Sequence, residues 1–145
     1  MNELDEKLIK LLNSGFEHIG EYSESEMSFK LSPEKWSKKE ALGHLIDSGI
    51  INLQRFTEIQ FESLPHKIRP YKQDDLVIAN DYQNSETKEL LRFWKSINIR
   101  IAYLFSIQTN ETLNFKIVFD TGEISDLKFL MEDYVNHLEY HLNQI

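Results

Sequence analysis

Leu4, Leu8, Leu11, Leu12, Phe16 and Ile19 recur at steps of three and four residues, which places them on one face of a helix. The pattern predicts a first amphipathic helix ending near Tyr22. Ser23 to Pro33 is polar and broken, so it reads as a connection. Ser37-Lys38-Lys39-Glu40 then has the Ser-x-x-Glu form of a capping box, whose side chains satisfy the free N–H groups of a helix start. Leu42, Leu45, Ile46, Gly49, Ile50, Leu53 and Phe56 hold one stripe and carry this second helix to about Phe61.

Pro65 and Pro70 bracket an extended stretch, because a residue before proline is pushed out of the helical region. The segment onward to Gln83 has no decisive period and leaves a short helix open. Leu90, Leu91, Trp94, Ile97, Ile101, Leu104 and Phe105 share a face of a third helix beginning near Ser85. Over Phe115-Lys116-Ile117-Val118-Phe119 the period drops to two, and Asp120-Thr121-Gly122 supplies turn chemistry, so a small hairpin returning through Glu123-Ile124 is expected. A last helix from about Ser125 aligns Leu127, Met131, Tyr134, Leu138, Leu142 and Ile145. Four long helices with one small hairpin make an all-α fold, a four-helix bundle, with residues 1–145 read as one domain without internal repeats.

The composition agrees with this picture: 145 residues, 41% apolar and 28% charged, describe an ordinary globular chain and exclude a disordered tail. No apolar run approaches the length of a membrane span, so no membrane partner is expected. The opening Met1-Asn2-Glu3-Leu4-Asp5-Glu6 lacks the features of a secretory leader. The absence of cysteine excludes disulfides, cysteine nucleophiles and thiolate metal sites, and it fits a cytoplasmic protein. Sixteen basic residues against 24 acidic ones leave a net charge of −8, which repels a polyanion and argues against nucleic acid as a partner. No phosphate-cradling glycine loop, nucleophile elbow or nucleic-acid module is present. Any metal must therefore be held by histidine and carboxylate.

His137 and His141 are four residues apart on the last helix and project from adjacent turns of one face, where two imidazoles can ligate one ion. They lie at the edge of the apolar stripe and so should face a groove. The competing reading is two half-buried histidines near a helix C-terminus, where the dipole tolerates their charge. His44, on another long helix, is the natural third ligand. It shares a side with Ser48, Ile51 and Arg55, and periodicity alone allows either surface or pocket there. Asp47 and Asp133 stand close enough in sequence to orient such a site, or are solvated carboxylates. His18 reads as packing at a stripe edge, Trp36 as a hydrophobic staple before the capping box, and Trp94 as core. His66, Lys67, Arg69 and Lys72 concentrate basic groups in an acidic chain, which suits either a small anionic ligand or a solvated loop.

Lys35-Trp36-Ser37, followed by Ala41-Leu42-Gly43-His44-Leu45-Ile46-Asp47-Ser48 and Arg55-Phe56, resembles the central helix of the DinB/YfiT-like superfamily. Ile68-Arg69-Pro70-Tyr71 is similar to the Pro-Tyr segment of its YfiT branch, and Asp133 to His141 to its closing His-x-x-x-His helix. The resemblance runs from about Lys35 to the C-terminus; the first helix matches only in kind. It implies a four-helix bundle holding one divalent metal, zinc or nickel, on His44, His137 and His141. It further implies a small-molecule substrate and one of two activities. The first is S-transfer, in which the metal activates a low-molecular-weight thiol such as bacillithiol or mycothiol against an electrophile, so that the chain needs no cysteine of its own. The second is hydrolysis of a small amide or ester, with hydroxide in place of thiolate. Arg55 and Arg69 are candidates to receive the thiol's carboxylates, and Asp47 and Arg55 are the candidates for a catalytic role. The resemblance also allows a homodimer. Two departures stand out: Gly43 precedes His44 where some relatives carry another histidine, and Glu139, Tyr140 and Gln144 occupy positions near which transferase-like members have more histidines. A third reading, from a different class, is a non-catalytic bundle that binds metal or a partner.

Overall fold

The computed structural model describes residues 2–145. Helix α1 (Asn2–Gly20) is followed by the short α2 (Glu24–Ser28), which opens on its own capping box at Ser23. Helix α3 (Lys38–Glu58) begins where the sequence places it, with Ser37 accepting from the Glu40 N–H at 3.0 Å and Glu40 accepting from the Ser37 N–H at 3.1 Å. Strand β1 (His66–Ile68) lies between the two prolines. The ambiguous segment resolves into α4 (Gln73–Ala79) and a single 3-10 turn at Tyr82–Asn84. Helix α5 (Thr87–Ser106) and the four-residue α6 (Asn110–Leu113) lead into β2 (Lys116–Phe119), β3 (Ile124–Asp126) and α7 (Leu127–Gln144).

The bundle consists of α1, α3, α5 and α7, with α1 packed on α5 and α7, and α3 packed on the same two helices. The expected hairpin is there, β2 antiparallel to β3 with Ile117 opposite Ser125. Its turn passes through Gly122 at φ 89°, a left-handed conformation that a side chain would strain. The sheet is larger than expected by one strand, because β1 joins β2 in parallel with His66 opposite Ile117. A three-residue strand has too little period to be read from sequence; its partner creates it. The hairpin leads directly into α7, whose first turn is capped by Asp126 accepting from the Phe129 N–H at 2.9 Å.

Helix α3 is the central element. From Leu42 to Gly49 every residue is buried, because α5 and α7 cover part of its circumference while α4 and the 3-10 turn cover more. A helix enclosed in this way has no single wet face, so its polar residues must be accommodated inside. Asp47 accepts from the Tyr82 hydroxyl at 2.6 Å and from the Asn80 amide at 2.9 Å. Lys39, 3% exposed, donates to Glu24 and to the Ser85 carbonyl, both at 2.7 Å, and so ties α2 and the loop before α5 to the start of α3. Trp94 and Phe105 are buried in the core as their stripe requires, and Asn98 and Tyr134 pair within it at 2.5 Å.

Gly43 is where the enclosure is tightest. A Cβ built there would lie 2.1 Å from Cδ2 of Tyr82 and 2.4 Å from its Cγ, so the residue before His44 must lack a side chain for the tyrosine ring to cover α3. Gly43→Ala must therefore displace the Tyr82 ring and its bond to Asp47. Urea unfolding should show a loss of about 1–3 kcal/mol, the usual range for overpacking a filled core; an unchanged midpoint would mean that the ring moves aside freely.

Candidate metal centre

His44 lies in the second turn of α3, a position fixed by the capping box that starts the helix. His137 and His141 occupy adjacent turns near the end of α7. The two helices run antiparallel along their seam: His44 meets the histidine pair, while Phe56, further along α3, meets Tyr134, further back on α7, with ring centroids 5.8 Å apart. The three imidazoles converge through the same atom. His137 Nε2 is 3.1 Å from His141 Nε2 and 3.4 Å from His44 Nε2.

Those separations fit one ion. Two nitrogens each about 2.0–2.1 Å from a tetrahedral metal are about 3.3 Å apart. They do not fit a hydrogen-bonded trio nearly so well, because a neutral imidazole has one N–H and one lone pair, and three Nε2 atoms pointing inward cannot all be paired by protons. The rings are also held neutral. Burial, then the charges of His141 and His137, bring the pKa of His44 down to about 4. Burial lowers that of His137, against the pull of Asp133, and burial followed by the charge of His137 lowers that of His141. Neutral imidazole is the form that binds metal. His44 Nδ1 is buried without a hydrogen-bond partner among the described residues. The Trp36 ring lies tilted against His44 at 5.0 Å and shields it from one side.

The structure settles the alternatives for His44: it is fully buried and faces the histidine pair. Asp47 turns to Tyr82 and Asn80, with its second oxygen buried and unpaired among the described residues. Burial raises its pKa despite those two bonds. Asp133 is exposed, and its charge acts on Arg55 and His137. Arg55 and Arg69 come together, the Arg55 guanidinium donating to the Arg69 carbonyl and lying 5.8 Å from the Tyr71 ring centroid. Both arginines line a cleft of about 950 Å³ bounded by the end of α3 and the chain leading into β1. Arg55 is on the same side of α3 as His44, three turns or about 16 Å further along.

Two expectations need correction. His18 is not packing: it is exposed, its Nε2 3.3 Å from the Tyr22 hydroxyl, because the α1 stripe edge opens to solvent there. His66 is not part of a purely basic loop. It is 7% exposed and faces Glu62 across 3.6 Å, so strand pairing turns it inward and acidic groups offset the lysine and arginine around it. Trp36 does more than staple a helix start, since its ring packs on His44. Tyr82, Asn80 and the acids Glu58 and Glu62 gave no sequence signal beyond the spacing of the two acids.

The structure is a helix bundle in which three histidines of the central and closing helices converge. No protein-family model matches the sequence, and no curated protein matches it. Solved structures do match. YfiT from Bacillus subtilis, described as a probable metal-dependent hydrolase with an unusual four-helix bundle topology, shares 22% identity over 98% of this chain and 83% of its own, with a TM-score of 0.81. A DinB-like protein of Bacillus subtilis shares 19% over 99% and 86%, with a TM-score of 0.68. A mycothiol-dependent maleylpyruvate isomerase shares 13%, and this chain, matched over 96% of its residues, spans 59% of that enzyme at a TM-score of 0.67. The fold is the DinB/YfiT-like bundle. No described helix is long and apolar enough to cross a membrane.

In the folded, metal-free protein His44 stays neutral down to about pH 4, whereas an imidazole of the unfolded chain takes its proton near pH 6.5. The unfolded state then binds more protons, so stability is complete above about pH 6.5 and is lost as the pH falls toward 4. Urea unfolding of metal-free protein should show a loss on the order of 2 kcal/mol between about pH 7 and pH 4.5, reduced in His44→Gln. An equal loss in that variant would rule out His44 as a source of the acid sensitivity.

Proposed function

We propose that this protein is a divalent-metal-dependent enzyme that joins a low-molecular-weight thiol to a small electrophile, with zinc or nickel held by His44, His137 and His141. The observation that carries the reading is the convergence of three neutral Nε2 atoms at 3.1 and 3.4 Å. A divalent ion on three neutral ligands retains its full charge, and when bound it supplies the means to deprotonate a thiol or a water at neutral pH.

The chain's own groups complete the proposal. Burial holds the imidazoles neutral, and Trp36 excludes water from one side of His44. The protein has no cysteine, so in S-transfer the sulfur nucleophile must come from a cosubstrate. Arg55 and Arg69 line the cleft at the other end of the same α3 face and receive the anionic end of that thiol. Asp47 acts through the Tyr82 ring that covers α3, and not on substrate directly. The likeness to a mycothiol-dependent isomerase supports the thiol reading. A second reading, hydrolysis of a small amide or ester, is favoured by the higher structural similarity to YfiT. Either activity suits a cytoplasmic enzyme acting on small molecules.

Metal-loaded protein assayed against a panel of electrophiles should turn over only when a low-molecular-weight thiol is present, and a chelator should abolish turnover. In Arg69→Ala the KM for the thiol should rise about tenfold or more with kcat little changed, as loss of one charge-assisted contact would give. Turnover of amides or esters without thiol would replace S-transfer by hydrolysis. Metal without turnover on either panel would leave a binding bundle.

A further inference from the structure

A second group of ligand-type side chains lies away from the three histidines. Glu58 is the last residue of α3, and the helical turn continues past it, with the Glu62 N–H donating to the Glu58 carbonyl at 2.9 Å. The two carboxylates are therefore one turn apart on one face. Strand β1 then brings His66 back against them, its position fixed by pairing with Ile117. One ligand atom from each of the three side chains lies within 4.8 Å of the others, at the edge of the 950 Å³ cleft.

The local chemistry leaves this group incomplete. His66 is 7% exposed, yet its ring makes no hydrogen bond among the described residues; its Nδ1 points at Glu62 Oε1 across 3.6 Å, beyond hydrogen-bond reach. The imidazole is thus nearly buried beside two acids, with its ring hydrogen-bonded to neither. The ligand atoms of the two carboxylates lie within 4.8 Å of each other, and Glu58 also accepts from the Gln54 amide at 2.5 Å. A divalent ion would neutralise the acid pair and give the imidazole a partner.

We propose that Glu58, Glu62 and His66 form a second divalent-cation site, separate from the three-histidine cluster. One nitrogen and two carboxylate donors suit a first-row transition ion such as zinc or manganese. Arg69 lies near enough to act on both carboxylates and opposes the ion's charge, so this site fills after the histidine cluster does. It stands on different residues from the proposed catalytic centre and does not require that reading.

Zinc is the probe. Metal-free protein dialysed against excess buffered zinc is analysed for zinc per chain, with the helical circular-dichroism signal as the folding control. Glu62→Gln and Glu58→Gln are the informative variants, because neither acid is buried and neither substitution opens a cavity. Each should bind one zinc fewer per chain than the wild type, and His137→Ala should retain the zinc that these two lose. Equal zinc in the wild type and both glutamine variants overturns the site.

Discussion

Three imidazole nitrogens that meet inside a helix bundle impose a charge requirement on everything around them. Their lone pairs converge within 3.4 Å along the His44–His137–His141 chain of contacts, too many for protons to pair and suitably placed for one cation. The surroundings keep them in the form a cation needs. His44 is wholly buried, so protonating it costs desolvation and repulsion from the other two rings. The bundle thus stores the binding potential of the site as buried, uncharged donors.

Two elements make that arrangement possible. Helix α3 is enclosed by α5, α7, α4 and the 3-10 turn, and it carries His44 at a depth that a surface helix could not provide. The approach of Tyr82 depends on Gly43: the space a side chain would take there is filled by a ring bonded to Asp47. The closing helix α7 receives its position from the hairpin before it, through the Asp126 cap and the Leu127 N–H bonded to the Phe115 carbonyl at 2.9 Å. Small errors in the start of either helix would rotate a histidine away, at about 100° per residue.

Much of this was legible in the chain. The four long helices follow from apolar steps of three and four, the start of α3 from Ser37 and Glu40, and the hairpin from alternation around Asp120-Thr121-Gly122. The reading of Ser23 to Pro33 as a connection misses α2, whose five residues are too few for a period and whose signal is the capping box Ser23-x-x-Glu26. Strand β1 could not be read, because three residues carry no period and only its pairing with β2 defines it. The His137–His141 pair was visible by spacing. Its union with His44 was less so: His44 was the natural third ligand, but a helix buried on most sides gives its polar residues no distinguishing phase, and periodicity left surface and pocket equally open. The approach of His66 to Glu58 and Glu62 depends on how the chain reverses after α3, which local sequence does not encode.

The most direct measurement is anomalous diffraction at the zinc edge from a crystal of zinc-loaded protein. A peak is expected among the three rings, about 2.0–2.1 Å from Nε2 of His44, His137 and His141, the ordinary zinc–imidazole distance. Fully loaded crystals with no anomalous peak between those three nitrogens would contradict a three-histidine metal centre.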